Sequence, residues 1–138
     1  MTERTAETKV EEAQRAALDL AKLSDEERRE GLLSIADAID ERHEEILDAN
    51  EKDVAAGQRM LEAGEYSQAL VDRLKLSESK LDSIIEMVRS VAGQDDPLGK
   101  TLSARELDDG LELYKLTVPI DVLGTVFESG PDAVVQIA

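Results

Sequence analysis

At 138 residues, with 32 acidic against 16 basic side chains and a net charge of −16, the chain is sized for one domain and is strongly acidic. That charge argues against nucleic acid or an anionic membrane surface as a partner, since both would repel it. The absence of cysteine excludes disulfides, a thiol nucleophile and thiolate metal sites in these residues. A single histidine, His43, leaves little for zinc or haem.

The acids do not form a tail: no run exceeds three (Asp25-Glu26-Glu27), and basic residues are interleaved throughout. Such a surface, with seven lysines and three aromatics (Tyr66, Tyr114, Phe127), fits a protein working in concentrated salt, where self-repulsion is screened. An acidic face that docks a partner is the competing reading. The first residues carry no apolar signal segment and no apolar run approaches membrane-spanning length, so the cytoplasm is the expected compartment.

In chain order, residues 5–22 show a helical stripe of Val10, Ala13, Ala17, Leu20 and Ala21. Ser24 followed by Glu27 is a capping box and starts a second helix, whose buried face is expected at Leu32, Leu33, Ile35, Ala36 and Ile39. A break near Arg42-His43 separates it from a third helix running through Asn50 and Val54 to about Leu61. Ala63-Gly64-Glu65 ends that helix, and Ser67 starts a short one through Leu70, Val71 and Leu74. Ser77 caps the next helix, with Leu76 and Leu81 placed as a hydrophobic staple. Leu81, Ile84, Ile85, Val88 and Val91 form its amphipathic stripe, and Gly93 ends it.

Past the linker Asp95-Asp96-Pro97-Leu98-Gly99 the period turns strand-like. Residues 102–107 and 111–118 flank Asp108-Asp109-Gly110, a hairpin signal. Residues 122–127 are a short apolar run that suits a strand buried on both faces of a parallel sheet. Glu128-Ser129-Gly130-Pro131 are turn-formers, with Pro131 placed as the first residue of a helix that continues to Ala138. Strand, turn, helix is how a mononucleotide-binding unit opens. The fold class is therefore α/β: a helix-rich part of about five helices, a β-hairpin, then the first strand and helix start of a nucleotide-binding domain.

General motif chemistry is sparse. Gly124 and Gly130 are too far apart for a GxGxxG turn, and no Lys-Ser/Thr pair makes them a P-loop. A calcium loop over Asp108-Asp109-Gly110 would put Arg105 and Leu116 at ligand positions and fails. Glu11-Glu12 and Glu44-Glu45 are adjacent in sequence and do not converge on one face. His43 has nothing nearby to orient it as a base.

Several stretches in fixed order carry a resemblance. They are Leu33-Ser-Ile-Ala-Asp-Ala-Ile39, Glu45-Ile-Leu-Asp-Ala-Asn50 with Asp53-Val54, and Leu70-Val-Asp-Arg-Leu-Lys-Leu76. Asp96-Pro97-Leu98-Gly99 follows, then Val118-Pro119-Ile120 through Phe127-Glu128-Ser129 and Pro131-Asp132. From about residue 10 onward the chain resembles the gamma-glutamyl phosphate reductase (glutamate-5-semialdehyde dehydrogenase) family of the aldehyde dehydrogenase superfamily, over its N-terminal part.

The resemblance implies an NADPH-dependent reduction of L-glutamyl 5-phosphate to L-glutamate 5-semialdehyde in proline biosynthesis. A cysteine thiolate attacks the acyl phosphate and hydride reduces the resulting thioester. It also implies three regions: residues 1–99 as the helical part of the cofactor domain, 100–118 as the hairpin of an oligomerisation element, and 119–138 as the opening strand-turn-helix of the nucleotide-binding sheet. Val126, Phe127, Glu128 and Ser129 fall where the superfamily lines the nicotinamide end of NADP(H), without a GxGxxG turn. Gly130 falls at the substrate oxyanion position.

Three departures bear on that implication. The family's cysteine and its lysine-bearing strand lie in a later segment, so these 138 residues are expected to be inactive alone. Where the family keeps Gly, this chain has Asp121, which suggests either a backbone angle closed to other residues or a close approach. Where the family keeps Arg, and the wider superfamily an Asn that helps hold the oxyanion, this chain has Gly130, which offers only its backbone N–H. Two function classes stand: a portion of this reductase, homo-oligomeric when whole and acting on a small acyl phosphate, or a free-standing acidic helical module that binds a partner.

Overall fold

The computed structural model describes residues 5–127 and 130–137. Its elements are α1 (Ala6–Leu20), α2 (Asp25–Glu41), α3 (His43–Glu62), α4 (Gln68–Leu74), α5 (Glu78–Ala92), β1 (Thr101–Asp108), β2 (Leu111–Leu116) and α6 (Ala133–Ile137). They fall into two compact units, Met1–Arg28 with Gln94–Gly124, and Arg29–Gly93 with Thr125–Ala138.

In the first unit Thr5 caps α1, its hydroxyl accepting from the Thr8 N–H. Of the expected α1 stripe, Ala13 and Ala17 are half-buried while Val10, Leu20 and Ala21 stay exposed, because alanine offers too little area to hold the longer side chains down. The capping box at α2 forms reciprocally. The Glu27 N–H donates to Ser24 Oγ at 3.2 Å, and the Ser24 N–H donates to Glu27 Oε2 at 2.7 Å. The Ser24 hydroxyl also donates to Glu27 Oε2 at 2.8 Å, and the bonds from the Ser24 N–H and then the hydroxyl hold the Glu27 carboxyl below its ordinary range.

One residue on, Arg28 donates to the Leu23 carbonyl at 2.5 Å and to Asp96 Oδ2 at 2.6 Å. The other oxygen of Asp96 accepts from the Leu98 N–H. The linker beyond it turns into the hairpin, whose root is closed by Gly99 N–H to Thr117 O and Thr117 N–H to Lys100 O.

β1 and β2 pair antiparallel, with Ser103 opposite Lys115, Ala104 opposite Tyr114, Arg105 opposite Leu113 and Glu106 opposite Glu112. Between the Glu106 and Asp108 pairings the register advances two residues on β1 for one on β2, an irregularity that leads into a tip at Asp109-Gly110 with Gly110 at φ 77°. Both faces of the hairpin are exposed.

In the second unit Ala36 of α2 is fully buried against Ile85 and Val88 of α5, with Leu32, Ile39 and Val135 packed around them. Leu33 and Ile35, also expected inside, are exposed. The contact with α5 is narrow, centred on Ala36, and residues to either side of that line turn to solvent. Val91 of α5 is likewise exposed, and Ala92 is buried. Arg89 braces the same α2–α5 pair from outside, within 3.4 Å of Asp37 and 3.5 Å of Asp40.

α2 and α3 are separate helices, as the break at Arg42-His43 predicts, and Arg42 forms an ion pair with Glu45 one turn into α3. α3 meets α4 at Gly57, where an added Cβ would lie 2.8 Å from Leu74 Cδ1. Beside it Asn50, 8% exposed, donates its amide to the Leu74 carbonyl at 2.7 Å and accepts the Leu76 N–H at 2.8 Å. Ser67 and Ser77 cap α4 and α5 through their hydroxyls.

The strand expected over residues 122–127 does not form. A parallel strand exists only through ladder bonds to neighbours, and among the described residues the two hairpin strands are the only ones and pair with each other. Leu123 (76% exposed) and Val126 (101%) therefore stand in solvent. The helix expected from Pro131 starts two residues later, with Pro131 and Asp132 in a turn. Asp121 has φ 68° and is the only described residue other than glycine with positive φ. Its side chain is exposed, so the backbone angle, not charge burial, is what glycine would relieve at this position.

Candidate functional site

The turn ahead of α6 carries the residues that the resemblance places at a cofactor. Val126 and Phe127 lead into it, both exposed, offering apolar surface. Glu128 and Ser129 lie outside the described residues. Gly130 follows at φ 138°, a conformation that side chains resist, and its carbonyl accepts the Ala133 N–H at 3.0 Å. A Cβ built on Gly130 would sit 3.5 Å from Asp132 Oδ1. An arginine here would therefore require the backbone to leave its present angle.

Asp132 anchors this turn within its own unit. Its Oδ2 lies 3.6 Å from Lys80 Nζ of α5 and accepts from the Gln136 side-chain amide one helical turn on. Half-buried Val135 then packs α6 against the Ala36–Ile85–Val88 core. The Gln136 contact was readable as an i, i+4 pair. Lys80 was not, since nothing in the sequence couples it to a residue 52 positions away.

Elsewhere, among the described residues, the geometry offers little chemistry. A shallow cleft of about 370 Å³ between α3 and the α4–α5 connection is lined by Asp48, Asn50, Glu51, Lys75 and Glu78 among others. Both hydrogen-bonding ends of the Asn50 amide are already occupied, and Lys75 is paired with Asp72. Among the described residues no group of three His, Cys, Asp or Glu is placed to hold a metal ion. His43 is half-buried at the first turn of α3.

No protein-family model matches the chain. Individual proteins do. A gamma-glutamyl phosphate reductase from Natronomonas pharaonis is 76% identical over all 138 residues, and one from Haloquadratum walsbyi is 63% identical over 134.

Over its whole length the chain is similar to the matched part of gamma-glutamyl phosphate reductases.

The crystal structure of the Saccharomyces cerevisiae gamma-glutamyl phosphate reductase superposes on 98% of the chain with a TM-score of 0.87 at 33% identity. The chain spans 31% and 29% of the two curated reductases and 34% of the yeast chain. A free-standing acidic module is not favoured, because the match to the reductases covers the whole chain.

Proposed function

We propose that these residues form part of an NADPH-dependent reductase that converts L-glutamyl 5-phosphate to L-glutamate 5-semialdehyde, working in the cytoplasm at high salt as a homo-oligomer. The observation that carries this reading is 76% identity, over every residue of the chain, to a reductase of that name. Val126, Phe127, Glu128 and Ser129 would line the nicotinamide end of the cofactor, and the Gly130 N–H would face the substrate oxygen. Apolar side chains followed by a turn suit that role, excluding water on one side and leaving backbone donors on the other. The hairpin's exposed leucines and unpaired strand edges would serve assembly. The high-salt setting is supported by the charge of −16 and by a halophile as the source of the 76% identical relative.

The 138 residues contain no thiol, so they should not turn over acyl phosphate by themselves. The test is a chimera in which they replace the matched residues of the Natronomonas pharaonis reductase. NADPH oxidation dependent on glutamyl phosphate supports the reading; a folded chimera that binds cofactor but reduces nothing overturns it. In the same assay the isolated chain should match the buffer blank.

A further inference from the structure

The hairpin tip brings together two groups that the fold leaves unengaged. Asp109-Gly110 is the only Asp-Gly sequence in the chain, and both residues are exposed. The Asp109 carboxylate has no partner among the described residues; its own N–H is taken by Asp108 Oδ1 at 2.9 Å. The Gly110 N–H makes no backbone hydrogen bond among the described residues, and nothing lies within 4 Å of where a Gly110 Cβ would be. A carboxyl carbon thus stands one residue before an unbonded, unshielded amide nitrogen.

We propose that Asp109-Gly110 is a site of spontaneous succinimide and isoaspartate formation. The Gly110 amide nitrogen, having lost its proton, attacks the carboxyl carbon of Asp109 in its protonated form. A C–N bond forms and one water leaves, giving a five-membered imide. Water then adds back at either carbonyl, and opening on the α side routes the main chain through the β-carboxyl. Mass and charge return to their starting values, and no oxidant or reductant is consumed. The product carries one extra methylene in its main chain at the tip, which moves the Asp108–Leu111 pairing out of register. Its free α-carboxylate has the chemistry to accept a methyl group from a sulfonium donor.

The other aspartates followed by small residues are protected. Asp37-Ala38, Asp48-Ala49 and Asp82-Ser83 lie inside α2, α3 and α5, where the following N–H is committed to the helix. The Ala133 N–H after Asp132 is bonded to Gly130 O. The single asparagine, Asn50, is buried in α3 with Glu51 after it.

The experiment ages the folded chain for several weeks at physiological temperature and neutral pH, then digests it with trypsin, which releases residues 106–115 as one peptide. Electron-transfer fragmentation locates isoaspartate, and an isoaspartyl methyltransferase with labelled S-adenosylmethionine counts it. A free peptide of the same residues runs alongside. Because exposed turns open at almost no free-energy cost, position 109 in the protein should convert within about threefold of the free peptide. The Asp109→Glu variant, which cannot close a five-membered ring, should abolish the signal. Conversion more than about tenfold slower than in the peptide, a barrier of about 1.4 kcal/mol imposed by the fold, would overturn the proposal. So would isoaspartate appearing first at any other aspartate.

Discussion

Arg28 donates to Asp96 at 2.6 Å across 68 residues of sequence, joining the start of α2 to the linker that feeds the hairpin. Both side chains are 25% exposed, so the pair is partly shielded from water. Removing one member leaves the other half-buried and uncompensated. Arg28→Ala should lower stability by about 1–3 kcal/mol, and Asp96→Asn by less, since an amide oxygen still accepts from the Leu98 N–H. Denaturant midpoints for both singles and the double give the coupling; a value below about 0.5 kcal/mol would mean the two residues act independently.

Asn50 closes both ends of its amide on the α4–α5 connection. Asn50→Asp keeps the acceptor for Leu76 but removes the donor to Leu74 O and sets a carboxylate against that carbonyl. A loss of about 1–3 kcal/mol is expected, the cost of a buried polar group left unsatisfied. Unfolding followed by circular dichroism measures it, and an unchanged midpoint would remove Asn50 from the forces holding this unit.

At Asp121 the left-handed backbone angle costs a residue with a Cβ more than it costs glycine. Asp121→Gly should therefore stabilise, by about 0.5–1 kcal/mol after glycine's larger unfolded-state entropy is subtracted. Asp121→Val, β-branched, should destabilise. Equal denaturant midpoints for all three chains would show that the segment relaxes freely around this residue.

The Glu27 carboxyl is held below its ordinary range first by the Ser24 N–H and then by the Ser24 hydroxyl; the Arg42 guanidinium does the same for Glu45, and Lys75 with Gln68 for Asp72. Each is depressed in the folded state, so its stabilisation is full above the unfolded value and fades as pH falls through the folded one. Melting temperature should drop on acidification below the ordinary glutamate value of 4.5. Glu27→Gln should flatten part of that drop. If wild type and variant fall in parallel, the capping box does not contribute to the pH dependence.

Glu106 and Glu112 face each other directly across the hairpin, a like-charge pairing that costs stability in dilute buffer. With a net −16 over the whole chain, helicity and melting temperature should rise as salt goes from about 0.1 M to about 1 M, where the Debye length falls from about 10 Å to about 3 Å. Glu106→Lys should reduce the salt response of the hairpin's amide exchange. A flat response in the parent chain would show that repulsion is not what limits its stability.

Local signals were legible where one residue's chemistry settles the matter: Ser24 with Glu27, Ser67, Ser77 and the Asp109-Gly110 tip each mark an element boundary that the structure keeps. The apolar run over residues 122–127 has strand composition, yet a strand is a relation between segments, and among the described residues no strand pairs with it. Leu33 and Ile35 matched a helical stripe that proved wider than the contact. The pairs that tie distant residues together, Arg28 with Asp96 and Lys80 with Asp132, leave no local trace. At the candidate site the apolar lead-in and the glycine turn were legible. The anchoring by Lys80 and the backbone angle of Gly130 were not.

The first compact unit is assembled from two separated lengths of chain, ending at Arg28 and resuming at Gln94. A ribosome delivers them at different times. At about 5–20 residues per second, the 68 residues between Arg28 and Asp96 take roughly 3–14 s to synthesise. Throughout that interval α1 and the start of α2 exist without the linker and hairpin that complete their unit, and the second unit waits longer still, for Thr125–Ala138. Newly made chains therefore pass through an interval in which both units lack their later lengths and Arg28 lacks Asp96.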